Sequence, residues 1–246
     1  MKIIKEILGR IFALWALLWF VISMLLVFIP ILIIGLWRDP KRTKLLCQLF
    51  RIWIDFFFFI TGLRLKIKGK KFFKKGETYI VVCNHNTMLD VPVSTPYIPG
   101  GNKTIAKIEM SRIPLFGIIY KLGSVLVDRK NEESRKVSYI KMKEVLDNGL
   151  HMCIYPEGTR NRTNEPLQRF HNGAFSLAVE TGHSILPAIL LNTKKVLPNN
   201  KTFYFWPGKI EMHFLPPITP SSQNVEQLKE KVFDLMKDHY VQHNKS

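Results

Sequence analysis

Cysteine is scarce in this chain of 246 residues, and acidic side chains are far outnumbered by basic ones. The three cysteines, Cys47, Cys83 and Cys153, are widely spaced and form no CxxC pair. The sequence therefore indicates neither a disulfide framework nor a cysteine-based zinc site. The chain has only 19 acidic residues but 36 lysines and arginines, which gives a net charge of +17. That charge predicts an anionic partner: a membrane surface, nucleic acid, or a phosphorylated or coenzyme A-like ligand.

Charge is absent altogether from residues 11–37, where the sequence reads IFALWALLWFVISMLLVFIPILIIGLW. At about 1.5 Å per residue, a helix of this length exceeds the roughly 30 Å hydrocarbon core of a bilayer. The segment has no small-residue cleavage site, so we expect it to remain attached to the chain. We expect Trp15, Trp19 and Trp37 to anchor it at the membrane interface and Pro30 to kink or interrupt it. Basic residues flank both ends, so the charges alone do not orient it.

A second apolar segment, residues 45–62, is rich in aromatic residues but contains Arg51 and Asp55, which are spaced to pair on one helix face. These charges favour a helix lying in the membrane interface, or a shallow hairpin with the first segment, over a second full span. Arg64–Lys68 then alternates basic and apolar residues, which predicts an edge strand with one solvated face. We therefore expect a membrane-associated helical region, residues 1–62, followed by an α/β domain, residues 63–246.

Beyond residue 76, strand-like and helix-like segments alternate. The predicted strands are residues 78–83, 104–108, 124–127, 151–155, 185–191 and 209–214. The predicted helices are residues 90–95, 114–122, 132–148, 172–181 and 224–240, and the last is amphipathic and expected to pack on the domain. This alternation predicts an α/β fold with a mixed, largely parallel sheet flanked by helices and preceded by the N-terminal membrane-associated helices. In such sheets, ligands bind at the carboxyl ends of the strands.

One predicted strand ends in a polar turn, residues 79–90, with the sequence YIVVCNHNTMLD. In a continuous helix, His85 and Asp90 would lie roughly 140° apart, so they meet only if the backbone turns between them. A strand that delivers His85 to its end, followed by a loop into a short helix, provides that turn. His85 is then a base near neutral pH whose tautomer Asp90 fixes. The alternative is a surface loop in which His85 only stabilises the turn and Asp90 only caps a helix.

Further candidate residues lie at or just beyond the other predicted strand ends. Gly158 allows a ligand to approach the backbone closely, and Arg160 is suited to a bidentate phosphate contact. The alternative for this stretch is a turn with surface arginines. Asp128 and Arg129 end another strand, where a structural ion pair explains them at least as well. Lys107 follows a third strand and is unremarkable by itself.

Taken in order, these motifs resemble those of the glycerolipid acyltransferases of the lysophosphatidic acid acyltransferase type, over roughly residues 60–215. The family's motifs are NHxxxxD, a lysine followed by Pro-x-x-Gly, a hydrophobic-Asp-Arg element, EGTR, and an apolar-proline element. They resemble residues 84–90, Lys107 with residues 114–117, residues 127–129, residues 157–160 and residues 186–188, respectively. Each motif alone is weak, whereas all five in this order are specific.

The resemblance implies transfer of a fatty acyl group from acyl-CoA or acyl-carrier protein to the free sn-2 hydroxyl of lysophosphatidic acid, giving phosphatidic acid. It implies that His85 is the general base, assisted by Asp90, and that Arg160 holds the phosphate. Glu157 is expected to orient Arg160 or to contact the glycerol. The expected substrate-binding residues are Lys107, Arg129, Glu157, Gly158, Thr159 and Arg160.

We expect direct transfer without a covalent acyl-enzyme, because the chemistry needs no serine or cysteine nucleophile. We expect no metal and no cofactor beyond the acyl co-substrate. The expected partners are membrane lipids, the lysophospholipid acceptor and the acyl donor, and not nucleic acid, with the active domain at the cytoplasmic face of the membrane. A lyso-aminolipid, another lysophospholipid or glycerol 3-phosphate remain alternative acceptors.

Two other classes of function remain open from the sequence. Metal-assisted phosphoester hydrolysis would need further carboxylates or histidines at strand ends, and the motifs are poor in carboxylates. A basic, membrane-bound adapter protein would share the charge and the anchor but would have no catalytic activity.

Overall fold

The computed structural model describes residues 2–220 and 224–244, and it contains a seven-stranded sheet with helices on both faces. The strands are β1 (Arg64–Lys68), β2 (Ile80–Cys83), β3 (Asn102–Lys107), β4 (Ser124–Val127), β5 (His151–Ile154), β6 (Ile185–Leu191) and β7 (Lys209–Phe214). The helices are α1 (Lys2–Gly35), α2 (Lys41–Thr61), α3 (Asp90–Ser94), α4 (Phe116–Gly123), α5 (Glu132–Asp147), α6 (Gly173–Thr181), α7 (Thr193–Val196) and α8 (Val225–His243). The predicted α/β class is confirmed.

The strand order is β1-β7-β6-β2-β5-β3-β4. The five strands from β6 to β4 are mutually parallel, whereas β7 runs antiparallel to β6 and β1 runs parallel to β7. Every residue of β2, β5 and β6 is buried, because crossover helices cover both faces of a parallel sheet. The carboxyl ends of five strands therefore lie along one edge, where the sequence predicts a site.

Two apolar layers form on the two faces of the sheet, and alternate residues of each strand enter different layers. Val81 and Cys83 of β2 pack in the layer that contains α1, α2 and α3. Ile80 and Val82 pack in the layer that contains α5, α6 and α8. The predicted amphipathic helix is α8, and it buries Leu228, Val232 and Met236 in this second layer, so its expected packing on the domain is confirmed.

Helix α1 is long and apolar enough to cross a membrane, and only 11% of its most apolar 18-residue stretch is buried within the protein. It continues through Pro30, so of the predicted kink or interruption, the interruption is wrong. A proline inside a helix removes one backbone hydrogen bond, and the adjoining Ile31 is fully buried in the apolar layer. The helix also begins earlier than the uncharged run, at Lys2.

Helices α1 and α2 form a hairpin, which was one of the alternatives for the second apolar segment. The indole N–H of Trp53 in α2 donates a hydrogen bond of 2.9 Å to the hydroxyl of Ser23 in α1. The indole N–H of Trp15 donates to the carbonyl of Ile60 at 3.2 Å, near the open end of the hairpin. Because α2 also packs on the sheet, it lies between α1 and the core of the domain.

Helix α1 also contacts the domain directly, and it does so along its whole length. Near its start, Gly9 lies so close to the ring of Tyr204 that any side chain there would overlap the ring. In its middle, the rings of Phe20 and Phe116 have centroids 6.0 Å apart. At its end, Gly35 lies against the side chain of Leu122 in α4. The exposed apolar side chains of α1 recur every three or four residues and form one outward face.

Candidate active site

The parallel strands bring four separate sequence motifs to one edge of the sheet. His85 follows β2, and Glu157 and Arg160 follow the neighbouring β5. Lys107 ends β3, and Arg129 follows β4. These strands are adjacent in the order β2-β5-β3-β4 and are all parallel. The predicted site residues therefore share one edge.

The polar turn after β2 brings His85 and Asp90 into contact. The Nδ1 atom of His85 lies 2.9 Å from Oδ2 of Asp90, whose side chain is 0% exposed, whereas that of His85 is 19% exposed. The same Oδ2 atom accepts hydrogen bonds from the backbone N–H of Asn86 and, at 2.7 Å, from that of Thr87. An ionised carboxylate can only accept, so Nδ1 carries the hydrogen and Nε2 keeps a lone pair. Nε2 is therefore the basic atom of the pair.

Tyr155, which the sequence indicated only as the end of a strand, packs its ring against the ring of His85. The two ring centroids are 4.5 Å apart and the planes are inclined by 34°. The tyrosine hydroxyl lies 2.6 Å from that of Ser94. Burial, reinforced by the neighbouring Cys153 and Asp90, raises the pKa of Tyr155 well above its usual range. The neutral phenol thus holds the imidazole in place by packing.

Glu157 supports the backbone of the turn that carries His85 and Asp90, residues 84–90. Its Oε1 atom accepts a hydrogen bond of 2.7 Å from the backbone N–H of His85, and its Oε2 atom accepts one of 3.0 Å from that of Gln168. Burial raises the pKa of Glu157 to about 7, although both N–H groups favour the ionised form. The expected contact between Glu157 and Arg160 is absent from the described residues, because both carboxylate oxygens already accept from the backbone.

The raised pKa of Glu157 predicts a pH dependence of stability that Glu157→Gln removes. The unfolded chain loses this proton near 4.5 and the folded chain near 7. The folded state therefore holds the proton more tightly, and wild-type stability is lost as pH rises from 4.5 to 7. Relative to Glu157→Gln, we expect the wild-type free energy of unfolding to fall by about 3 kcal/mol across that window. Urea unfolding at four pH values measures this difference, and a constant or rising difference would contradict the prediction.

Asn84 joins the turn that carries His85 to β6. Its side-chain Nδ2 donates to the carbonyl of Leu190 at 3.0 Å, and its Oδ1 accepts from the N–H of Leu190 at 2.7 Å. The amide thus imitates a backbone peptide and extends the sheet pairing where β2 ends. The sequence predicted a turn-type residue at Asn84 but not this partner, because the partner is 106 positions away.

Asn199 and Asn161 hold the same turn from its other side. The Nδ2 atom of Asn199 donates to the carbonyl oxygens of Asn86 at 2.7 Å and Asn161 at 3.1 Å. The backbone N–H of Asn161 donates to the carbonyl of His85 at 2.7 Å. No motif or periodicity in the sequence marks Asn199, because it lies in an irregular loop between α7 and β7. Its contribution follows only from the folded structure.

Arg129 contacts the EGTR segment rather than the neighbouring aspartate. Its Nη1 atom donates to the carbonyl of Gly158, and the described residues contain no ion pair between Arg129 and Asp128. Gly158 has a φ of +68°, and a Cβ atom there would lie 2.9 Å from Cδ2 of His171. Both the backbone conformation and the close contact require glycine. The structural ion pair considered from the sequence is therefore replaced by a contact between two motifs.

Positive groups at the same edge remain open to a ligand. Within residues 2–220 and 224–244, the half-buried guanidinium of Arg160 makes no hydrogen bond or ion pair with the protein. Lys107 and Thr159 are exposed. A planar guanidinium with unused N–H groups is suited to bidentate binding of phosphate. This edge thus combines a base with an open anion-binding group.

Hard metal ions find few free ligands at this edge. The carboxylates of Asp90 and Glu157 already accept hydrogen bonds from the backbone of the turn that carries His85. Among the described residues, the one set of three clustered metal-ligand side chains lies elsewhere, at His213, His239 and His243. The arrangement of donors thus favours general-base chemistry over the metal-assisted hydrolysis considered from the sequence.

Comparisons with known proteins extend the sequence resemblance. The Acyltransferase family profile matches residues 64–191. The 1-acyl-sn-glycerol-3-phosphate acyltransferase of Helicobacter pylori is 32% identical over 192 residues, which cover 76% of this chain and 77% of that protein. The protein of the same name from Cocos nucifera is 32% identical over 187 residues, which cover 75% of this chain and 59% of the plant protein.

A solved structure has the same fold. The crystal structure of the 1-acyl-sn-glycerophosphate (LPA) acyltransferase, PlsC, from Thermotoga maritima matches with a TM-score of 0.78 at 23% sequence identity. The match covers 100% of both chains, so it includes the helical hairpin as well as the sheet. At this level of identity the likeness establishes the architecture.

Proposed function

Because this chain belongs to the acyltransferase family, we propose that it transfers a fatty acyl group from a thioester to the sn-2 hydroxyl of lysophosphatidic acid. The product would be phosphatidic acid, a precursor of phospholipids. The observation that carries the proposal is the contact of 2.9 Å between His85 and Asp90. This pair lies at the sheet edge that also presents the guanidinium of Arg160, which has no partner among the residues that the structure describes.

The proposed reaction uses the lone pair on Nε2 of His85. Nε2 of His85 removes the proton of the acceptor hydroxyl as its oxygen attacks the thioester carbonyl. The tetrahedral oxyanion then collapses, the carbon–sulfur bond breaks, and the departing thiolate takes the proton from Nε2. The Asp90 carboxylate stabilises the transient imidazolium. Positioned proton transfer of this kind contributes about 10² to 10⁴-fold to the rate.

Direct transfer is further supported by the state of the two nearest cysteines. Cys83 and Cys153 are fully buried, and their sulfur atoms lie 3.9 Å apart. Contact with Cys153 and burial raise the pKa of Cys83 well above its usual range. Neither thiol can therefore serve as a solvent-accessible thiolate nucleophile.

The acceptor phosphate is assigned to Arg160, with Lys107 contributing a second positive charge on the same edge. Arg129 has a different role in this proposal, since its Nη1 atom holds the carbonyl of Gly158. It fixes the backbone that carries Arg160. The phosphate is thus bound on the strand neighbouring the one that carries the base, which suits a glycerol backbone bridging the two.

A membrane lipid as acceptor is supported by apolar groups beside the site. Met88, between the two catalytic residues, is 66% exposed. The loop between α7 and β7 contacts both the catalytic turn, through Asn199, and the start of α1, through Tyr204. The apolar face of α1 is therefore connected to the site through one loop. We place the active domain at the cytoplasmic face of the membrane, where both acyl-CoA and acyl-carrier protein can reach a basic surface.

An assay of the purified protein against a panel of acceptors, with each donor type, tests this proposal. Lysophosphatidic acid should give a higher kcat/KM than a lyso-aminolipid, another lysophospholipid or glycerol 3-phosphate. Arg160→Ala should raise the KM for lysophosphatidic acid by about 10 to 100-fold, because it removes charge-assisted hydrogen bonds worth about 1.5–3 kcal/mol. It should change transfer to monoacylglycerol, which has no phosphate, much less.

Arg162→Ala is the matched control, because Arg162 is exposed and two positions away. Equal losses in the two arginine variants would remove the phosphate role from Arg160. A tenfold or greater preference for another acceptor would overturn lysophosphatidic acid as the substrate while leaving acyl transfer itself intact.

A further inference from the structure

Three histidines cluster on the side of the sheet covered by α8. His213 lies on β7, and His239 and His243 lie one turn apart on α8. Nδ1 of His213 is 2.8 Å from Nε2 of His239, and the rings of His239 and His243 stack with centroids 4.0 Å apart. One nitrogen from each ring falls within 4.8 Å of the others. Sequence reasoning missed this cluster, because its members come from distant segments.

Hydrogen bonds to the opposite ring nitrogens select the lone pairs that face the centre of the cluster. Nε2 of His213 lies 2.8 Å from Oε2 of Glu211, which can only accept, so the hydrogen is on Nε2 and Nδ1 has a lone pair. Nδ1 of His243 lies 2.9 Å from the carbonyl oxygen of His239, so Nε2 of His243 has a lone pair. Two of the three rings are thus held in the tautomer that a metal ion requires.

We propose that His213, His239 and His243 bind a divalent transition metal ion of the zinc type, which links α8 to β7. Three imidazoles with a water molecule complete a tetrahedral zinc site, and two histidines one helical turn apart are a common part of such sites. Ligand nitrogens about 2.05 Å from zinc lie about 3.3 Å apart. The rings of His213 and His239 therefore need to separate by about half an ångström, which side-chain rotation provides.

The imidazole ligands favour a transition metal ion. Imidazole favours zinc, cobalt, nickel and copper over magnesium and calcium, which prefer oxygen ligands. Glu211 binds His213 as an outer carboxylate, and Lys209 and Lys68 lie 2.7 Å and 3.6 Å from its oxygens. Glu211 thus orients the ligand ring while its own charge is balanced by the two lysines.

Metal binding requires one tautomer change. Because Nδ1 of His213 has a lone pair, the hydrogen between the two rings is on Nε2 of His239. This hydrogen must move to Nδ1 of His239 before Nε2 can bind the ion.

This inference is independent of acyl transfer. Helix α8 belongs to the apolar layer opposite to the one that holds α1, α2 and α3, and His213 contacts His239 of this helix. The alternative for the cluster is a packing arrangement, in which the single hydrogen between His213 and His239 forms an ordinary hydrogen bond. That alternative predicts no specific affinity for metal ions.

Cobalt and zinc titrations of the untagged full chain, purified in detergent and stripped with a chelator, separate the two explanations. Co²⁺ should produce the visible absorption bands of a tetrahedral site at one equivalent, and Zn²⁺ should abolish them. A hundredfold excess of Zn²⁺ over its Kd should raise Tm by about 5 °C or more, because the ion binds only the folded chain. His243→Ala, on the exposed end of the cluster, should weaken binding at least about 100-fold, and Glu211→Gln about 10 to 100-fold.

His183→Ala serves as the control, because His183 is outside the cluster. It should bind cobalt and zinc as the wild type does. Absence of visible bands in the wild type would overturn the proposal without reference to any variant. Binding by His243→Ala as tight as that of the wild type would also overturn it, since the cluster would then not be the site.

Discussion

Replacing His85 with alanine is expected to lower kcat for acyl transfer by about 10³-fold or more. The variant removes the imidazole whose Nε2 accepts the hydroxyl proton in the proposed reaction. The carboxylate of Asp90 cannot replace it, because its side chain is 0% exposed. Initial rates with saturating donor and acceptor measure the effect.

The control for His85→Ala is His183→Ala, which removes an imidazole outside the site and should keep wild-type rates. Sedimentation with lipid vesicles is the second measurement, and we expect both variants to bind membranes as the wild type does, because α1 is unchanged. A membrane-bound adapter without catalysis would show no transfer even in the wild type. If His85→Ala retained transfer within about tenfold of the wild type, the assignment of His85 as the base would fail.

Asp90→Asn is expected to lower kcat by about 10² to 10⁴-fold and to leave the KM of both substrates nearly unchanged. Oδ2 of Asp90 accepts from His85 and from two backbone N–H groups, whereas Oδ1 makes only one long contact of 3.5 Å with the hydroxyl of Thr87. An asparagine that places its oxygen at the Oδ2 position keeps these bonds. It removes the negative charge that stabilises the imidazolium.

The free energy of unfolding separates this electrostatic role from a structural one. Asp90→Asn should lower kcat while its free energy of unfolding changes little, because the hydrogen bonds at the Oδ2 position are kept. Asp147→Asn, an exposed substitution at the end of α5, is the matched control and should leave both quantities unchanged. A large fall in stability with wild-type kcat for the molecules that remain folded would indicate that Asp90 only supports the turn.

Local sequence patterns were sufficient to predict which edge of the sheet carries the site. Buried β-branched runs ending in polar residues predicted where the strands stop, and parallel strands necessarily share their carboxyl edge. From the five-residue spacing, a contact between His85 and Asp90 was one of two interpretations, and it required the backbone to turn between them. The backbone does turn, and Nδ1 of His85 lies 2.9 Å from Oδ2 of Asp90. These inferences succeeded because each depends on residues close in sequence.

Interactions between strands were not predictable in the same way. Glu157 was expected to orient Arg160 or to contact the glycerol, but it accepts from the backbone N–H of His85, because β5 lies next to β2 in the sheet. Hydrophobic periodicity does not determine the order of the strands in the sheet. The choice between hairpin and interfacial helix likewise depended on a contact between Trp53 and Ser23, 30 positions apart. The three-histidine cluster joins β7 to α8 and was missed for the same reason.

The long-range hydrogen bonds that hold the turn at His85 have a consequence for the folding of the protein. Glu157, Leu190 and Asn199 bond to the turn across 72, 106 and 113 positions of sequence. Contacts of such high sequence separation form late, because the closure of long loops must precede them. During synthesis, a nascent chain that contains the whole histidine motif therefore still lacks a completed turn until the segment containing Asn199 has emerged. The geometry of the His85 turn is therefore completed only after residue 199 has been made, when the apolar helix α1 has long been synthesised.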